Sequence, residues 1–458
     1  MANNGFVLTK APEDYRPAQN ACKLCSPLGA VLAFKGIEHT LPVLHGSQGC
    51  ATYIRRYLIS HFREPVDVAS SSFGENAAVF GGGPNLKLCL DNVTAQYEPA
   101  LIGVASTCLS ETMGEDVPMH LHEYRAQRAD VPELVPVATP SYRGSHIDGF
   151  HAALRAVVGA VVREPAAPGE HINLLPGMAS PADLRYLKAL WADFDLPLIM
   201  LPDYSETLDG VQWEAYEKIP RGGTPLAAIE RMSAARATLE LGHTLADRDS
   251  AGQWLADTHQ VPCHRLGLPT GVNETDRLFR VLEDLSGNPT PARYAAARGR
   301  LVDAYVDGHK YVSGKRAAIY GEADLVIGLA AFLTEIGIAP VLCATGERQV
   351  HLADRLRAVC PDADFAQSTV LEGADFVQIT DAALGLKPDL LIGNSKGAPT
   401  ARQCDAPLIR VGFPVHDRFG GSRLRVFGYE GTQALFDRVV NALIERKETD
   451  LGRDCAYL

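Results

Sequence analysis

Short apolar segments alternate with amphipathic segments of helical length along the whole sequence, and this alternation restricts the possible folds more than any other feature. One example is Ile172–Leu175, which is followed by a Pro-Gly turn and by a stretch of helical periodicity that reaches Asp193. The same order recurs at residues 317–343 and begins again at residues 390–392. Apolar strands that are joined through helices form parallel sheets in βαβ units. We therefore predict an α/β fold whose parallel sheets are flanked by helices.

The chain is long enough for about three such units. It has 458 residues, and a domain contains roughly 150 residues. We predict three Rossmann-like domains, at residues 1–165, 166–315 and 316–458. A Pro- and Ala-rich stretch at residues 163–169 is predicted to be the first linker, and residues 294–314 are predicted to form a helix that leads into the third domain.

Charge and hydropathy exclude several classes of protein. The formal net charge is −12 and basic runs are absent from the sequence, which argues against a general nucleic-acid binder. The longest apolar stretch, residues 325–344, contains Glu335 and Pro340, so it predicts a buried helix and strand and not a membrane span. The N-terminal residues lack the apolar core of a secretory signal. We expect a cytoplasmic protein that binds neither nucleic acid nor membrane.

Three of the ten cysteines stand at the boundaries of predicted elements. Cys25 precedes a helix that is predicted to end at Gly36, Cys50 opens a helix predicted from residue 51, and Cys108 precedes one predicted near residue 111. Ligands of open α/β sheets lie beyond the carboxyl ends of the strands. Helix N-termini favour the thiolate form that binds iron. These positions fit three thiols that jointly bind an iron–sulfur cluster, and the alternative is that the three are ordinary buried cysteines.

Other residues near the same sheet edge fit this interpretation. Ser141 follows the strand predicted at residues 134–137, where a hydroxyl could donate a hydrogen bond to a cluster or bind iron. Gly46 and Gly49 are predicted to let the backbone approach inorganic sulfide and donate N–H hydrogen bonds. His45 and His61 flank this segment and are expected to make structural hydrogen bonds.

The remaining cysteines have plainer interpretations, because cysteine is among the most frequently buried residue types. Cys22 forms a C-x-x-C pair with Cys25, and a single pair of this kind leaves its role open. The sequence has no second C-x-x-C, which makes a structural zinc site a poor fit. Cys455 lies near the C-terminus without an identified partner. The cysteines that are expected to be ordinary core residues are Cys89, Cys263, Cys343, Cys360 and Cys404.

Several motifs make the chain recognisable as a whole. The run at residues 22–82 contains CKLCSPLGA, HGSQGC and HFREP, and later segments read STCLSETMGEDV, ATPSYRGSHIDGF, IGNSKG and PLIRVGFPVHDR. In combination they resemble the β-type subunits of nitrogenase component 1, over essentially the full length. The resemblance implies a fold of three Rossmann-like domains. It also implies an α₂β₂ heterotetramer with a homologous α-type chain, in which a cluster bridges each α–β pair.

The resemblance also implies roles for individual residues. Cys25, Cys50 and Cys108 match three cysteines that bind half of an [8Fe-7S] P-cluster, and Ser141 matches a serine beside that cluster. Tyr53 matches a tyrosine between the P-cluster and the active-site cofactor.

Phe80 matches a surface phenylalanine where the ATP-dependent iron protein docks. Both aromatic residues also have an ordinary interpretation. Tyr53 could be a packed core tyrosine, and Phe80 could be a buried aromatic residue of a turn.

The implied function is that of a β-type subunit of a nitrogenase-like reductase. Such a chain relays electrons from the iron protein to a metallocluster in the α-type subunit, where dinitrogen or a methylthio-alkane-like compound is reduced. Retention of the three cysteines and Ser141 favours this relay.

The first matching cysteine is already residue 25, so the long N-terminal arm of the standard β subunit is missing. That departure supports an alternative, the β-like subunit of the scaffold on which the iron–molybdenum cofactor is assembled, with a [4Fe-4S] cluster. A further alternative is an α/β protein that binds a nucleotide or sugar and carries no cluster.

Overall fold

The described strands form three parallel sheets, which confirms the predicted α/β class. The computed structural model describes residues 7–8, 20–164, 167–348, 350–361 and 368–451. Two sheets have four strands and the third has six. Their central strands are buried on both faces, as parallel strands must be when helices cover the sheet.

The first sheet lies in the N-terminal part of the chain and carries the predicted cysteine site. Its strands are, in spatial order, Ala69–Ser70, Thr40–His45, Leu101–Ser106 and Glu133–Val137, and all neighbours are parallel. The helices of this part are Ser26–Lys35, Gln48–Phe62, Glu75–Phe80, Gly83–Tyr97, Cys108–Met113, Val117–Ala126 and His146–Val161.

The second sheet follows in the middle of the chain. Its spatial order is Leu198–Met200, Ile172–Leu175, Ala237–Leu241 and Cys263–Leu266. The α-helices here are Pro181–Asp193, Leu226–Ile229, Ala251–His259, Val272–Ser286 and Ala292–Val312, with 3-10 turns at Met232–Ala234 and His243–Asp247. The strand predicted at residues 172–175 has these bounds, and the long helix predicted before the third domain is also confirmed.

The third sheet draws on both ends of the chain. Its spatial order is Val7–Leu8, Thr369–Leu371, Ala339–Thr345, Arg316–Gly321, Leu390–Gly393 and Leu408–Arg410. The helices are Ala323–Glu335, Leu352–Val359, Phe376–Leu386, Ala398–Gln403 and Gly428–Leu451, with 3-10 turns at Ser395–Gly397 and Gly421–Arg423. Val7–Leu8 pairs with Thr369–Leu371, so the N-terminal strand crosses to the last sheet.

The domain limits near residues 165 and 315 stay predictions, and residues 165–166 of the proposed linker lie outside the described residues. The long apolar stretch forms the helix Ala323–Glu335 and the strand Ala339–Thr345, as predicted. Among the helices that the structure describes, none is both long and apolar enough to cross a membrane.

The helices Ser26–Lys35 and His146–Val161 pack in unusually close contact. A Cβ atom on Gly29 would overlap the carbonyl oxygen of His146, and a Cβ on Gly149 would overlap the carbonyl oxygen of Ser26. Glycine is therefore required at both positions, because only a missing side chain lets the two backbones come so near. This contact fixes the start of the first helix, and with it Cys25, against the segment that precedes His146.

Candidate functional site

The three predicted cysteines all lie at helix N-termini. Cys25 is the N-cap residue of Ser26–Lys35, which ends at Gly36 as predicted. Cys50 is the third residue of Gln48–Phe62, and Cys108 is the first residue of Cys108–Met113.

The two later helices begin earlier than the sequence predicted, at residues 48 and 108 instead of 51 and near 111. Their caps explain the difference. Ser47 caps its helix by accepting a hydrogen bond from the N–H of Gly49, and at the later helix the N–H of the N-cap residue Thr107 donates to Ser110 Oγ at 2.9 Å.

The three thiols lie near one another beside the carboxyl end of the first sheet, a place that we call the cysteine crevice. Each of the three residues is half-buried. Burial raises the pKa of the Cys25 thiol, and the neighbouring Cys108 raises it further. Burial likewise raises the pKa of Cys50, with added contributions from Cys25 and Cys108. The thiols are thus close enough to act on each other's charge.

The donor set of the three thiols suits an iron–sulfur cluster. Such a cluster is held by cysteine thiolates on different iron atoms, and each of the three thiols lies at a helix N-terminus. Within the described part of the chain, no group of three or more His, Cys, Asp or Glu side chains is placed to hold a metal ion.

Ser141 connects two of the cysteine segments. Its backbone N–H donates to Cys108 Sγ at 3.2 Å, and its Oγ accepts a hydrogen bond from the N–H of Ser26 at 3.1 Å. Ser141 is therefore at the crevice, one strand along from Cys108, where the sequence placed it. Its role toward a cluster stays a prediction.

Two half-buried lysines at this crevice were missed by sequence reasoning. Lys23 Nζ donates to the carbonyl oxygens of Ser141 at 3.2 Å and Gly144 at 2.8 Å. Lys396 Nζ donates to the carbonyl oxygen of Ala21. Burial lowers the pKa of both ammonium groups, while the nearby Cys25 opposes this shift. The position of Lys23 inside the C-x-x-C pair was an available signal, whereas Lys396 is brought in by the tertiary fold.

The segment that leads to Cys25 runs from the third sheet to the first. Ala21 forms an isolated antiparallel bridge with Asp375, and the carbonyl oxygen of Asn20 accepts from the N–H of Phe376 at 3.2 Å. At the other end, the N–H of Leu24 donates to His146 Nδ1 at 3.2 Å. Residues 20–25, which we call the crossing segment, are therefore attached at both ends.

The prediction that the N–H groups of Gly46 and Gly49 donate to sulfide is wrong. The N–H of Gly46 donates to Ser71 Oγ at 2.9 Å, and the N–H of Gly49 donates to Ser47 Oγ at 3.3 Å. Both donors are thus used within the protein and are not free for sulfide. Gly46 has a different function, because a Cβ there would overlap Thr107 Oγ1. Its small size lets the segments that carry Cys50 and Cys108 lie side by side.

The two flanking histidines make structural hydrogen bonds, as expected. The His45 ring is 3.1 Å from Ser71 Oγ and 3.3 Å from Glu115 Oε2. His61 Nδ1 accepts from the N–H of Val415 at 2.9 Å, and burial lowers the pKa of His61 to about 3. Both imidazoles support the positions of their neighbours.

The two aromatic residues singled out by the resemblance are exposed. Tyr53 is 38% exposed, and its ring lies 4.7 Å from that of Tyr57. Phe80 is 84% exposed and adjoins Val79, which is 73% exposed. The alternative interpretations, a core tyrosine and a buried turn aromatic, are therefore wrong. Phe80 and Val79 form an apolar surface patch at the end of the helix Glu75–Phe80.

Most of the other cysteines lie in apolar cores. Cys22, the open case, is 4% exposed, belongs to the apolar cluster under the third sheet, and has a pKa raised to about 12 chiefly by burial. Cys343 is fully buried in the strand Ala339–Thr345, as predicted. Cys455 lies outside the described residues. Of the remaining four, Cys89 and Cys360 are buried, and Cys263 and Cys404 are half-buried.

A cavity of about 90 Å³ lies elsewhere, between the three sheets. It is lined by His61, Tyr204 and Phe413 among others, and none of the three predicted ligand cysteines lines it. The cavity is mainly apolar, whereas the thiols converge on a separate crevice. The cysteine crevice is the place where reactive groups meet, so the candidate site is located there.

Comparison with known proteins identifies the family of this chain. The family model of nitrogenase component 1 type oxidoreductases matches residues 25–444. The chain belongs to this family. Within it, the chain is 35% identical over 434 residues to the nitrogenase molybdenum-iron protein beta chain of Clostridium pasteurianum, covering 94% of each sequence. It is 34% identical to the corresponding beta chain of Azotobacter vinelandii, covering 94% of this chain and 85% of that one.

A solved structure shows the same fold within the nitrogenase component 1 family. A chain of nitrogenase Cp1 at pH 6.5 superposes with a TM-score of 0.94 at 34% identity, covering 98% of both chains. The expectation that a short length separates this chain from nitrogenase beta chains is wrong, because the chain covers 94% of the C. pasteurianum beta chain. Length therefore does not favour the scaffold alternative.

Proposed function

We propose that this chain is the β-type subunit of a nitrogenase-like reductase and binds half of a bridging [8Fe-7S] P-cluster through Cys25, Cys50 and Cys108. The observation that supports the proposal most is the convergence of three half-buried thiols on one crevice, each at a helix N-terminus. The membership of the nitrogenase component 1 family, in which beta chains are the similar relatives, adds to it.

The chain contributes a prepared environment to the cluster. The helix N-termini present a partial positive charge to the thiolates, and the N–H of Ser141 is directed at Cys108 Sγ. When bound, the cluster supplies one-electron relay between a docked iron protein and the metallocluster of the α-type partner. The surrounding side chains restrict water around the sulfur atoms and hold the thiols at fixed positions.

The proposed partners are a homologous α-type subunit, in a cytoplasmic α₂β₂ heterotetramer, and an ATP-dependent iron protein. The exposed patch of Phe80 and Val79 suits a transient contact with the iron protein, because interface cores are enriched in aromatic residues. The patch is linked to the crevice, since Glu115 contacts the His45 ring and also accepts from the N–H of Gly82 at 2.7 Å. The proposed substrate is dinitrogen or a methylthio-alkane-like compound.

Anaerobic purification of the complex with the α-type partner tests this proposal. We expect iron quantitation and EPR to detect an eight-iron bridging cluster, and we expect substrate reduction when the iron protein and ATP are added. A four-iron bridging cluster without turnover would assign the scaffold role instead. A complex that carries no bridging iron would overturn both.

The docking role of Phe80 can be tested with a matched pair of variants. Phe80→Ala is expected to reduce turnover at limiting iron protein by about 30-fold. This is the effect of losing an interface residue that contributes roughly 2 kcal/mol of binding free energy. The control is Phe419→Ala, because Phe419 is similarly exposed, at 85%, but lies far from Phe80 in sequence, in the segment that follows the strand Leu408–Arg410. Both variants should keep the EPR spectrum of the bridging cluster. Equal loss of turnover in both, or loss of the spectrum in Phe80→Ala, would contradict a docking role.

A further inference from the structure

We infer that Lys23 is a positioning residue that holds Ser141 in place at the bridging cluster. The inference rests on the proposed function, because it assigns a task to a residue beside the cluster ligands. Lys23 lies two residues before Cys25 and makes its side-chain contacts with the loop that carries Ser141.

The ammonium group of Lys23 ties the Ser141 loop together. Its Nζ donates to the carbonyl oxygens of Ser141 and Gly144, which stand at the two ends of the loop at residues 141–144. Hydrogen bonds from a charged donor are shorter and stronger than those between neutral groups. The two bonds therefore restrain both ends of the loop with respect to one side chain.

The backbone next to Lys23 is fixed independently of this side chain. The N–H of Leu24 donates to His146 Nδ1 at 3.2 Å, and its carbonyl oxygen accepts from the N–H of His146 at 3.1 Å. Gly346, which follows the strand Ala339–Thr345, also lies against Lys23, because a Cβ atom on Gly346 would overlap the backbone nitrogen of Lys23. The backbone is thus held between two elements, so loss of the ammonium group would release the loop and leave the crossing segment in place.

Release of the loop would act directly on two cysteine segments. Ser141 donates its N–H to Cys108 Sγ and accepts at its Oγ from the N–H of Ser26, which follows Cys25. A shift of this loop would weaken both hydrogen bonds together. Hydrogen bonds to cluster sulfur tune the reduction potential of the cluster, so the loop position controls an electronic property of the site.

A different explanation would be that Lys23 acts only through its positive charge. Lys396 separates the two explanations, because it is also half-buried and also interacts electrostatically with Cys25. Its Nζ donates to Ala21 O on the crossing segment, and it has no hydrogen bond with the loop at residues 141–144 in the described structure. Lys396→Met therefore removes a comparable charge without removing a support of the Ser141 loop.

The experiment compares Lys23→Met, Lys396→Met, Ser141→Ala and the double variant Lys23→Met/Ser141→Ala in the complex with the α-type partner. The readouts are hydrogen–deuterium exchange over residues 141–145, the midpoint potential of the bridging cluster and its EPR spectrum.

We expect exchange to rise about tenfold in Lys23→Met through local opening, and to stay unchanged in Lys396→Met. We also expect Lys23→Met to shift the midpoint potential of the bridging cluster in the same direction as Ser141→Ala. The shift in the double variant should be smaller than the sum of the two single shifts. Lys23→Arg, which keeps the charge and a donor, should restore much of the protection from exchange.

Two outcomes would overturn the inference. One is unchanged exchange in Lys23→Met together with a shift in potential equal to that of Lys396→Met, which would assign a role of charge alone. The other is a double variant whose shift equals the sum of the single shifts. If Lys23→Met fails to retain the cluster, exchange in the cluster-free complex decides between the two explanations. If the wild-type complex contains no bridging cluster, the proposed function fails, while the exchange comparison still judges whether Lys23 holds the loop.

Discussion

The carboxyl edges of the first and third sheets occupy equivalent places in their folds but present opposite chemistry. At the first edge, three thiols are half-buried and face one another in a crevice. At the third edge, Glu322 and Glu347 follow the strands Arg316–Gly321 and Ala339–Thr345, and both carboxylates are closed off by partners. The topology allows a ligand site at either edge, so the side chains decide which edge can accept a ligand.

The partners at the third edge come from all three parts of the chain. His146 Nε2 lies 3.1 Å from Glu322 Oε1, and Arg248 Nη2 lies 3.0 Å from Glu347 Oε2. Arg248 also donates to Asp148, and Glu347 Oε1 accepts from the N–H of Ala323 at 3.0 Å. In this network, which we call the three-part ion network, both oxygens of Glu347 and one oxygen of Glu322 have partners within the protein. The comparison teaches that half-buried thiols leave an edge able to accept a ligand, whereas carboxylates held in ion pairs do not.

Cys50→Ala should give the largest effect, because it removes a proposed ligand from the open edge. We expect most of the bridging iron to be lost and the pairing with the α-type subunit to weaken, since binding of a shared cluster is coupled to assembly. Iron quantitation and analytical ultracentrifugation of the complex measure the two effects. A variant with full iron content would remove Cys50 from the ligand set.

Arg248→Met should destabilise the closed edge strongly. It removes the charged partner of the buried Glu347 carboxylate, which costs about 3–5 kcal/mol of unfolding free energy at pH 8, where the wild-type carboxylate is ionised. Denaturant unfolding measures the loss.

The control for this change is Arg155→Met. Arg155 pairs with Asp249, whose side chain is 75% exposed, and a surface pair contributes only about 0–1 kcal/mol. Similar losses in both variants would show that the three-part ion network is no more important than an ordinary surface pair.

Glu347→Gln should change how stability depends on pH. Burial raises the pKa of Glu347 to about 7 from 4.5, with Arg248 opposing the shift. A group with a raised folded pKa contributes stability that is fully present below its unfolded pKa and is lost as the pH rises through its folded pKa. The wild type should therefore lose about 1–3 kcal/mol between pH 5 and pH 8 relative to the glutamine variant, which cannot ionise. Thermal unfolding across this range is the measurement, and parallel curves for the two proteins would refute the assignment.

Cys343→Ala should have the smallest effect. Cys343 is fully buried in an apolar strand, so a small cavity should cost about 1 kcal/mol of stability and leave the iron content unchanged. Comparison of Cys343→Ala with Cys50→Ala separates the effect of removing any cysteine thiol from the effect of removing a proposed cluster ligand. A drop in iron in Cys343→Ala would mean that iron content merely follows overall stability.

Local sequence signals predicted much of the fold. The strand Ile172–Leu175 and the helix Ser26–Lys35 have the predicted bounds, because apolar periodicity and Gly36 mark them clearly. The helix starts near Cys50 and Cys108 were placed too late. Ser47 and Thr107 are favourable N-cap residues, so the capping rule, applied to them, would have found the correct starts.

Long-range contacts were beyond sequence reasoning. Asp183 contacts Ser180 Oγ at 2.7 Å at the start of its own helix, which is a local contact that helix-capping patterns explain. Its other oxygen accepts from the N–H groups of Val426 and Phe427, both at 2.9 Å. The contact of Lys396 with Ala21 joins residues that are still further apart in sequence. Such pairs depend on how the three sheets pack, which local patterns do not encode.

The crossing segment makes the position of one sulfur atom sensitive to the whole molecule. Its six residues can span at most about 20 Å when fully extended, and both ends are attached. It therefore behaves as a short tether with little slack. If the third sheet rotated against the first, the crossing segment would displace Cys25. The geometry of the crevice therefore depends on the relative orientation of two distant parts of the chain.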